Sequence, residues 1–253
     1  MAPMTRTVLL ALDTSTEYCS VALLLSASDA DPSPQLWARH DQTGAVSSTR
    51  VLPAVRELLD EAGLTLTDCD AIAFGAGPGS FTGLRTATGV TQGLAFGLGV
   101  PVVPVSTLLA CAESVRLRDA SVTRVLAALD ARMDEAYWAD YAWDAGLGDW
   151  RMVVPPSLGA PDQLAAPDEP FVLAGNAVAA FGARLTAATH ARAVDYEALP
   201  HAVPLAHAAL RAFRAGRTMP ADQAAPEYVR DKVAQTTAER LAARAAQAGG
   251  AAR

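Results

Sequence analysis

Lysine is almost absent: among the 20 basic residues only Lys232 is a lysine, and the rest are arginine. No lysine therefore stands beside any glycine-rich stretch to neutralise a bound phosphate. Cysteine is scarce too. Cys19, Cys69 and Cys111 are odd in number, far apart and without a C-x-x-C pairing, which excludes a disulfide framework or a cysteine zinc site and fits a reducing cytoplasm. The four histidines, His40, His190, His201 and His207, form neither H-E-x-x-H nor H-x-x-x-H. His201 and His207 are six apart with Pro204 between them, so they share no helical face at ligand distance, and no metal is expected. A G-x-S-x-G elbow and a Ser/His/Asp set are also missing. Long apolar runs are absent: the stretch from Val8 to Leu12 is stopped by Asp13, too short for a signal segment or a membrane span.

What is present describes a soluble globular protein. At 253 residues, with 51% apolar and 19% charged residues, the chain suffices for one large domain or two small ones with proper cores. The formal charge of -7 repels the nucleic-acid backbone and argues against unaided binding to it, a local arginine patch apart.

TVLLALDTST, CSVALLLS and QLWARHD read as three strands of an antiparallel meander. SSTRVLPAVRELLDEAG follows as a helix with a Ser cap, a face of Val51, Leu52, Val55, Leu58, Leu59 and Ala62, and Gly63 as its stop. DAIAF is a short strand that feeds GAGPGSFTGLR, from Gly75 to Arg85, and a second helix from about Ser80 to Leu98. PVVPVS leads into a helix over Leu108 to Val115. This order is that of a ribonuclease-H-like half of the actin-like ATPase architecture, and doubly wound folds share much of it. A second unit starts near Val122. It has strand-like runs around a turn from Ala131 to Asp134, a third strand WRMVVPP, an irregular stretch from Pro155 to Pro170, a strand PFVLAGN and a helix PLAHAALRAFRAG with Pro204 in its first turn. The expectation is an α/β protein of two actin-like lobes, each a mixed sheet with helices. The first lobe spans 1–106 and takes back about 218–235 through APEYVRDKVA, the second spans 107–217, and 236–253 is a frayed or disordered tail with a capping box at Thr236 and Glu239.

Several motifs carry two readings. Asp13, in the turn LDTST, can hold a hydrated cation while its neighbours touch a phosphate. Actin-like ATPases want glycine in that turn, however, and Thr14 and Ser15 occupy it; the residues favour an Asx-type turn satisfied by its own hydroxyls. GAGPGSFTGLR presents N–H groups at a helix N-terminus, yet it lacks the GK[ST] ending, and Ser80 sits where G-x-G-x-x-G needs its third glycine. A structural turn with Ser80 as helix cap is favoured. Gly89, Gly93 and Gly97 recur every four residues inside the next helix, where each glycine costs ~1 kcal/mol relative to alanine. Close approach of another helix explains them, from this chain or from another. Asp130 and Arg132 in LDARMDE either face a ligand or pair with each other in a hairpin.

In their order and spacing, ALDTSTEYCSVAL, GAGPGSFTGLRTATGVTQGLA, PVVPVSTL, VLAALDARMDEAYWADY and APEYVR closely resemble the bacterial TsaB (YeaZ) family of tRNA threonylcarbamoyladenosine biosynthesis proteins. The resemblance covers nearly the whole chain and is weakest at Asp29 to Pro34, Ser157 to Pro170 and after Val233. It implies a cytoplasmic, non-catalytic paralogue of TsaD, the enzyme that transfers a threonylcarbamoyl group from threonylcarbamoyl-AMP to an adenosine beside the tRNA anticodon. The implied partners are TsaD, the ATPase TsaE and a second copy of the chain, with tRNA met only through the complex and no membrane. No cofactor of its own is implied. TsaD carries a two-histidine metal motif, H-x-E-G-H, where this chain reads STLLACAESV. Family members pair through the two helices of the first lobe, which points here to Arg50, Val51, Ala54 and Leu58 and to Thr86, Gly89, Gly93 and Gly97. Asp13, Thr14, Gly77, Gly79 and Ser80 are the candidates for holding an anion at the junction with TsaD. The competing functions are an actin-like ATPase or small-molecule kinase, which would bind nucleotide alone, and a metallopeptidase.

Overall fold

The computed structural model describes residues 6–28 and 33–230. Its first sheet begins with the expected meander: β1 (Thr7–Asp13), β2 (Tyr18–Ser26) and β3 (Gln35–Gln42), each antiparallel to the one before. β4 (Ala71–Gly77) then lies parallel to β1, and β5 (Val102–Ser106) parallel to β4. The sheet order is β3-β2-β1-β4-β5. β1 and β4 are buried along their whole length, as their unbroken apolar runs require of strands covered on both faces.

One face is covered by α1 (Ser47–Ala62) and α2 (Phe81–Leu98), which pack on Leu10, Leu12, Val21, Ile72 and Phe74. The buried side of α1 is Ser47, Val51, Ala54, Val55, Leu58 and Leu59, a 3.6-residue repeat. Two expectations for α1 are corrected. Leu52 is turned about 100° from Val51 on the helix and points outward, 51% exposed. No Ser side chain caps the helix either: Val46 holds the N-cap position without a side-chain bond, and Ser47 donates instead to Gly44 O. Gly63, at φ 66°, ends the helix as expected.

The second lobe repeats this plan. β6 (Arg124–Asp130), β7 (Ala136–Asp144) and β8 (Asp149–Gly159) form an antiparallel meander, and β9 (Val172–Ala174) and β10 (Ala193–Asp195) add in parallel. The order β10-β9-β6-β7-β8 is that of the first sheet read from the other edge, so the molecule is the two-lobed actin-like arrangement. β8 runs through Pro155 and Pro156 to Gly159, farther than the proline-rich composition suggested. Both prolines sit on an edge strand, where a missing N–H is tolerated.

The lobes divide differently from the expected boundary. α5 (Ala202–Arg214), assigned by sequence order to the second lobe, packs Ala202, Leu205, Ala206 and Ala209 on Leu9, Ala11, Leu24, Ala73 and Val103 of the first sheet. α3 (Thr107–Arg118) lies between the lobes. Ala110 joins that same core, while Leu108, Cys111 and Val115 pack on Val125, Ala127, Tyr141 and Val172 of the second sheet. The far face of the second sheet is closed by Phe171, Leu185 and Ala177, the last on the short helix α4 (Ala177–Phe181). After α5 the chain returns to the first lobe: Met219 pairs with Val102, and Glu227 N donates to Ala76 O at 2.7 Å. The expected tail, 236–253, lies outside the described residues.

Candidate functional site

A cavity of about 530 Å³ lies between the lobes, lined by Thr14 to Tyr18, Ser47 and Ser48, Pro78 to Ser80, Thr82, Gly83, Thr86, Leu129 to Arg132, Tyr137 and Asn176, among others. It sits at the carboxyl ends of β1, β4, β6 and β9, where open α/β sheets place their ligands. Thr14, Gly79, Ser80 and Thr86, four of the expected site residues, line it; Asp13 and Gly77 do not.

The two loops that would sandwich a phosphate are bonded to each other instead. Ser80 N donates to Ser15 O at 2.8 Å, and Thr14 Oγ1 donates to Gly83 O at 2.6 Å. A Cβ on Gly83 would lie 1.8 Å from Thr14 O, and one on Gly79 2.7 Å from Ser15 O. These glycines bring backbone to backbone along one wall of the cavity, and part of the loops' polar backbone is spent on that contact. Ser80 caps α2 as expected, its Oγ accepting from Gly83 N at 3.4 Å, and Thr107 Oγ1 donates to Pro78 O, which follows the cis Gly77–Pro78 bond.

Asp13 is fully enclosed. Its Oδ1 accepts from Ser15 N at 3.2 Å and Ser15 Oγ at 2.9 Å, the Asx turn favoured by the sequence. Its Oδ2 has no hydrogen-bond partner among the described residues, and burial pushes the carboxyl up to about 6 against the two bonds from Ser15. The charged groups on the cavity wall are Glu17, Asp130 and Arg132. Arg132 Nη1 pairs with Asp130 Oδ2 at 3.2 Å, so the one cation among the wall's described charged groups already faces a carboxylate. That pairing is the hairpin reading of LDARMDE, although the Arg132 side chain stays 87% exposed.

The same turn carries backbone strain. Arg132, Met133 and Asp134 all have positive φ, at 63°, 55° and 60°, a region costing L-residues roughly 1–2 kcal/mol each. Asp130 Oδ1 accepts from Arg132 N at 2.8 Å, and Arg230 Nη2 donates to Ala131 O and Arg132 O at 3.1 and 3.3 Å and pairs with Glu135. The segment from Glu227 to Arg230 thus straps the first lobe to the second. Tyr228 stacks on Phe81 and accepts from Arg85 Nε at 3.0 Å. Glu227 is half-buried there, which raises its carboxyl above the usual range.

The expected pairing helices divide sharply. Val51, Ala54 and Leu58 are fully buried in the first lobe's core, which corrects their assignment to a partner surface: the sheet claims that face of α1. Arg50 is partly exposed but bonded to Asp41 and Glu57. Gly89, Gly93 and Gly97 are exposed, and a Cβ on each would meet nothing within 4 Å among the described residues. Close packing among the described residues therefore does not account for them. Phe96, beside the last, is 76% exposed.

Sequence spacing also missed one cluster. His40 stacks on Tyr18 at 4.3 Å between ring centroids, and His201 lies 5.5 Å from His40. Burial lowers both histidines, His201 to about 4. Residues 161 positions apart meet because α5 begins over the start of β2, where Ala202 N donates to Ser20 Oγ at 2.9 Å. No helix among the described residues is long and apolar enough to cross a membrane.

A family model described as TsaD, tRNA N6-adenosine threonylcarbamoyltransferase, matches residues 42–240. The tRNA threonylcarbamoyladenosine biosynthesis protein TsaB of Escherichia coli (strain K12) is 44% identical over 142 residues, 56% of this chain and 58% of that one. Its namesake from Haemophilus influenzae is 41% identical over 162 residues, 61% of this chain and 65% of that one. The chain thus spans about six-tenths of the length of these curated relatives. A solved structure, YeaZ from Pseudomonas aeruginosa, is similar at 41% identity and a TM-score of 0.78, with 88% of this chain and 99% of that one covered. Two sheets of one topology, the GAGPGSFTGLR turn bonded to LDTST and these similarities agree: the chain belongs to the TsaB/YeaZ family.

Proposed function

We propose that this chain is a non-catalytic partner of a TsaD-type enzyme, required for threonylcarbamoyl transfer to the adenosine next to the anticodon in tRNAs. The curated relatives carry tRNA threonylcarbamoyladenosine biosynthesis in their names, and the family model carries the transferase in its own. The single observation that carries the reading is the open row of Gly89, Gly93 and Gly97 on α2. Glycine in a helix interior is destabilising, and nothing among the described residues repays it. A partner helix laid across that row would. The cleft is lined by two loops that bond to each other and have no lysine beside them in the sequence, and this disfavours an ATPase or kinase. At the place of the partner enzyme's metal helix, α3 directs Cys111 into the core and Glu113 into an ion pair with Arg211.

In this reading TsaD binds α2 and the exposed part of α1, with Gly89, Gly93, Gly97, Phe96 and Leu52 at the contact. TsaE joins the pair, a second copy of the chain competes for the same face, and tRNA is met through the complex. Titrating purified TsaD into the chain tests it. A saturable one-to-one complex is expected, and calorimetry with ATP and magnesium on the chain alone should give no heat of binding. Absence of the complex, or tight ATP binding by the isolated chain, would refute the reading.

A further inference from the structure

We infer that a charge cluster anchored on the buried Glu113, at the end of the second sheet remote from the cavity, fixes the angle between the two lobes. Glu113 of α3 has a side chain only 3% exposed. It accepts both terminal nitrogens of Arg211 of α5, at 2.8 and 2.6 Å, and Trp150 Nε1 of β8 at 2.7 Å. Arg211 Nε goes on to Asp149 at 2.9 Å, and Asp149 also holds Arg217. Two carboxylates thus meet two guanidiniums, with every bond charge-assisted. Trp143 of β7 completes the cluster. The Arg116 guanidinium lies 3.8 Å from its ring centre, Trp150 meets it edge-on, and Arg116 also donates to Ala120 O and Val122 O.

The cluster joins a helix of the first lobe (α5), the helix between the lobes (α3) and the β7–β8 hairpin of the second. An apolar interface lets packed elements slide by small amounts, whereas a bidentate guanidinium pair holds one orientation. Tyr137, on the cavity wall, and Trp143, in the cluster, are six residues apart on β7, about 20 Å at strand rise. The second sheet is therefore held at both ends, by this cluster and by the strap of Glu227 to Arg230 at the cavity. α3 links the two ends, since its first residue, Thr107, bonds Pro78 of the glycine-rich turn and its seventh, Glu113, anchors the cluster. The molecule is a platform with one lobe angle, unlike a nucleotide machine that opens and closes.

Dipolar EPR on the full chain reads that angle. Spin labels are placed at Asp60→Cys on α1 and Ala180→Cys on α4, both exposed, with the native cysteines buried. One narrow distance distribution is expected, unchanged by ATP with magnesium. Glu113→Ala should broaden it and shift its centre. A broad distribution in the parent chain, or an unaltered one in folded Glu113→Ala, would overturn the inference. Should Glu113→Ala fail to fold, Trp150→Phe, which removes one hydrogen bond from the cluster, is read by the same criterion. Loss of thermal stability without any change in the distribution counts against the inference.

Discussion

Substituting Gly93 by leucine separates a partner surface from an internal packing surface. Gly93 is exposed in the middle of α2, and a Cβ there meets nothing within 4 Å among the described residues. The isolated chain should therefore gain stability, because a helix-interior glycine is replaced by a good helix former. The gain is about 0.5–1 kcal/mol, or roughly 1–4 °C in melting temperature for a chain of this size. The same side chain intrudes into any helix that approaches across the glycine row. Overpacking there costs about 1–3 kcal/mol, a weakening of the TsaD complex by roughly 5-fold to 150-fold. Differential scanning calorimetry of the free chain and titration of TsaD measure the two effects. The opposite signs are diagnostic. A free chain that melts lower would mean that the row is packed internally, and unchanged TsaD affinity would mean that the partner binds elsewhere.

Leu58→Ala, on the buried face of α1, should cost about 2–5 kcal/mol in denaturant unfolding, while Leu52→Ala on the exposed face should stay within about 0.5 kcal/mol; equal costs would contradict the assignment of the faces. Gly83→Ala drives a methyl into the Thr14 carbonyl, a backbone atom that cannot step aside, and should destabilise by about 3 kcal/mol; a change near zero would show that the two loops are not in contact. Asp13 carries a carboxyl raised from 3.8 to about 6 by burial. Its protonated form is favoured in the folded chain, so this group's contribution to stability is largest below about pH 4 and is lost as pH rises through about 6, by roughly 3 kcal/mol. Comparing urea unfolding of the parent and Asp13→Asn between pH 4 and 7 should show that component in the parent alone; identical slopes would refute the burial argument.

Local chemistry made much of this legible in the sequence. The meander of β1 to β3 follows from short apolar runs broken by polar turns, Ser80 and Gly63 mark a helix start and a helix stop, and the Asx turn at Asp13 needs only its two neighbours. What stayed hidden depends on contacts between distant residues. α5 follows the second sheet in sequence but buries its alanines and leucines on the first, and periodicity shows that a helix has an apolar face without showing which sheet meets it. For the same reason Val51, Ala54 and Leu58 belonged to the core: the residues that make a helix amphipathic are those the sheet takes, which leaves the partner only what remains outside. The glycine row was visible as a pattern, and the structure supplied what the pattern lacked, that nothing among the described residues fills it. Thr14 with Gly83, 69 positions apart, and Glu113 with Arg211, 98 apart, have no local signature at all.

The central claim, a partner without chemistry of its own, is tested most directly by reconstituting threonylcarbamoyl transfer to tRNA from purified components with and without this chain. The account predicts that omitting the chain abolishes or greatly reduces modified adenosine while the chain alone modifies none. Full modification in its absence, or modification by the chain without TsaD, would contradict it.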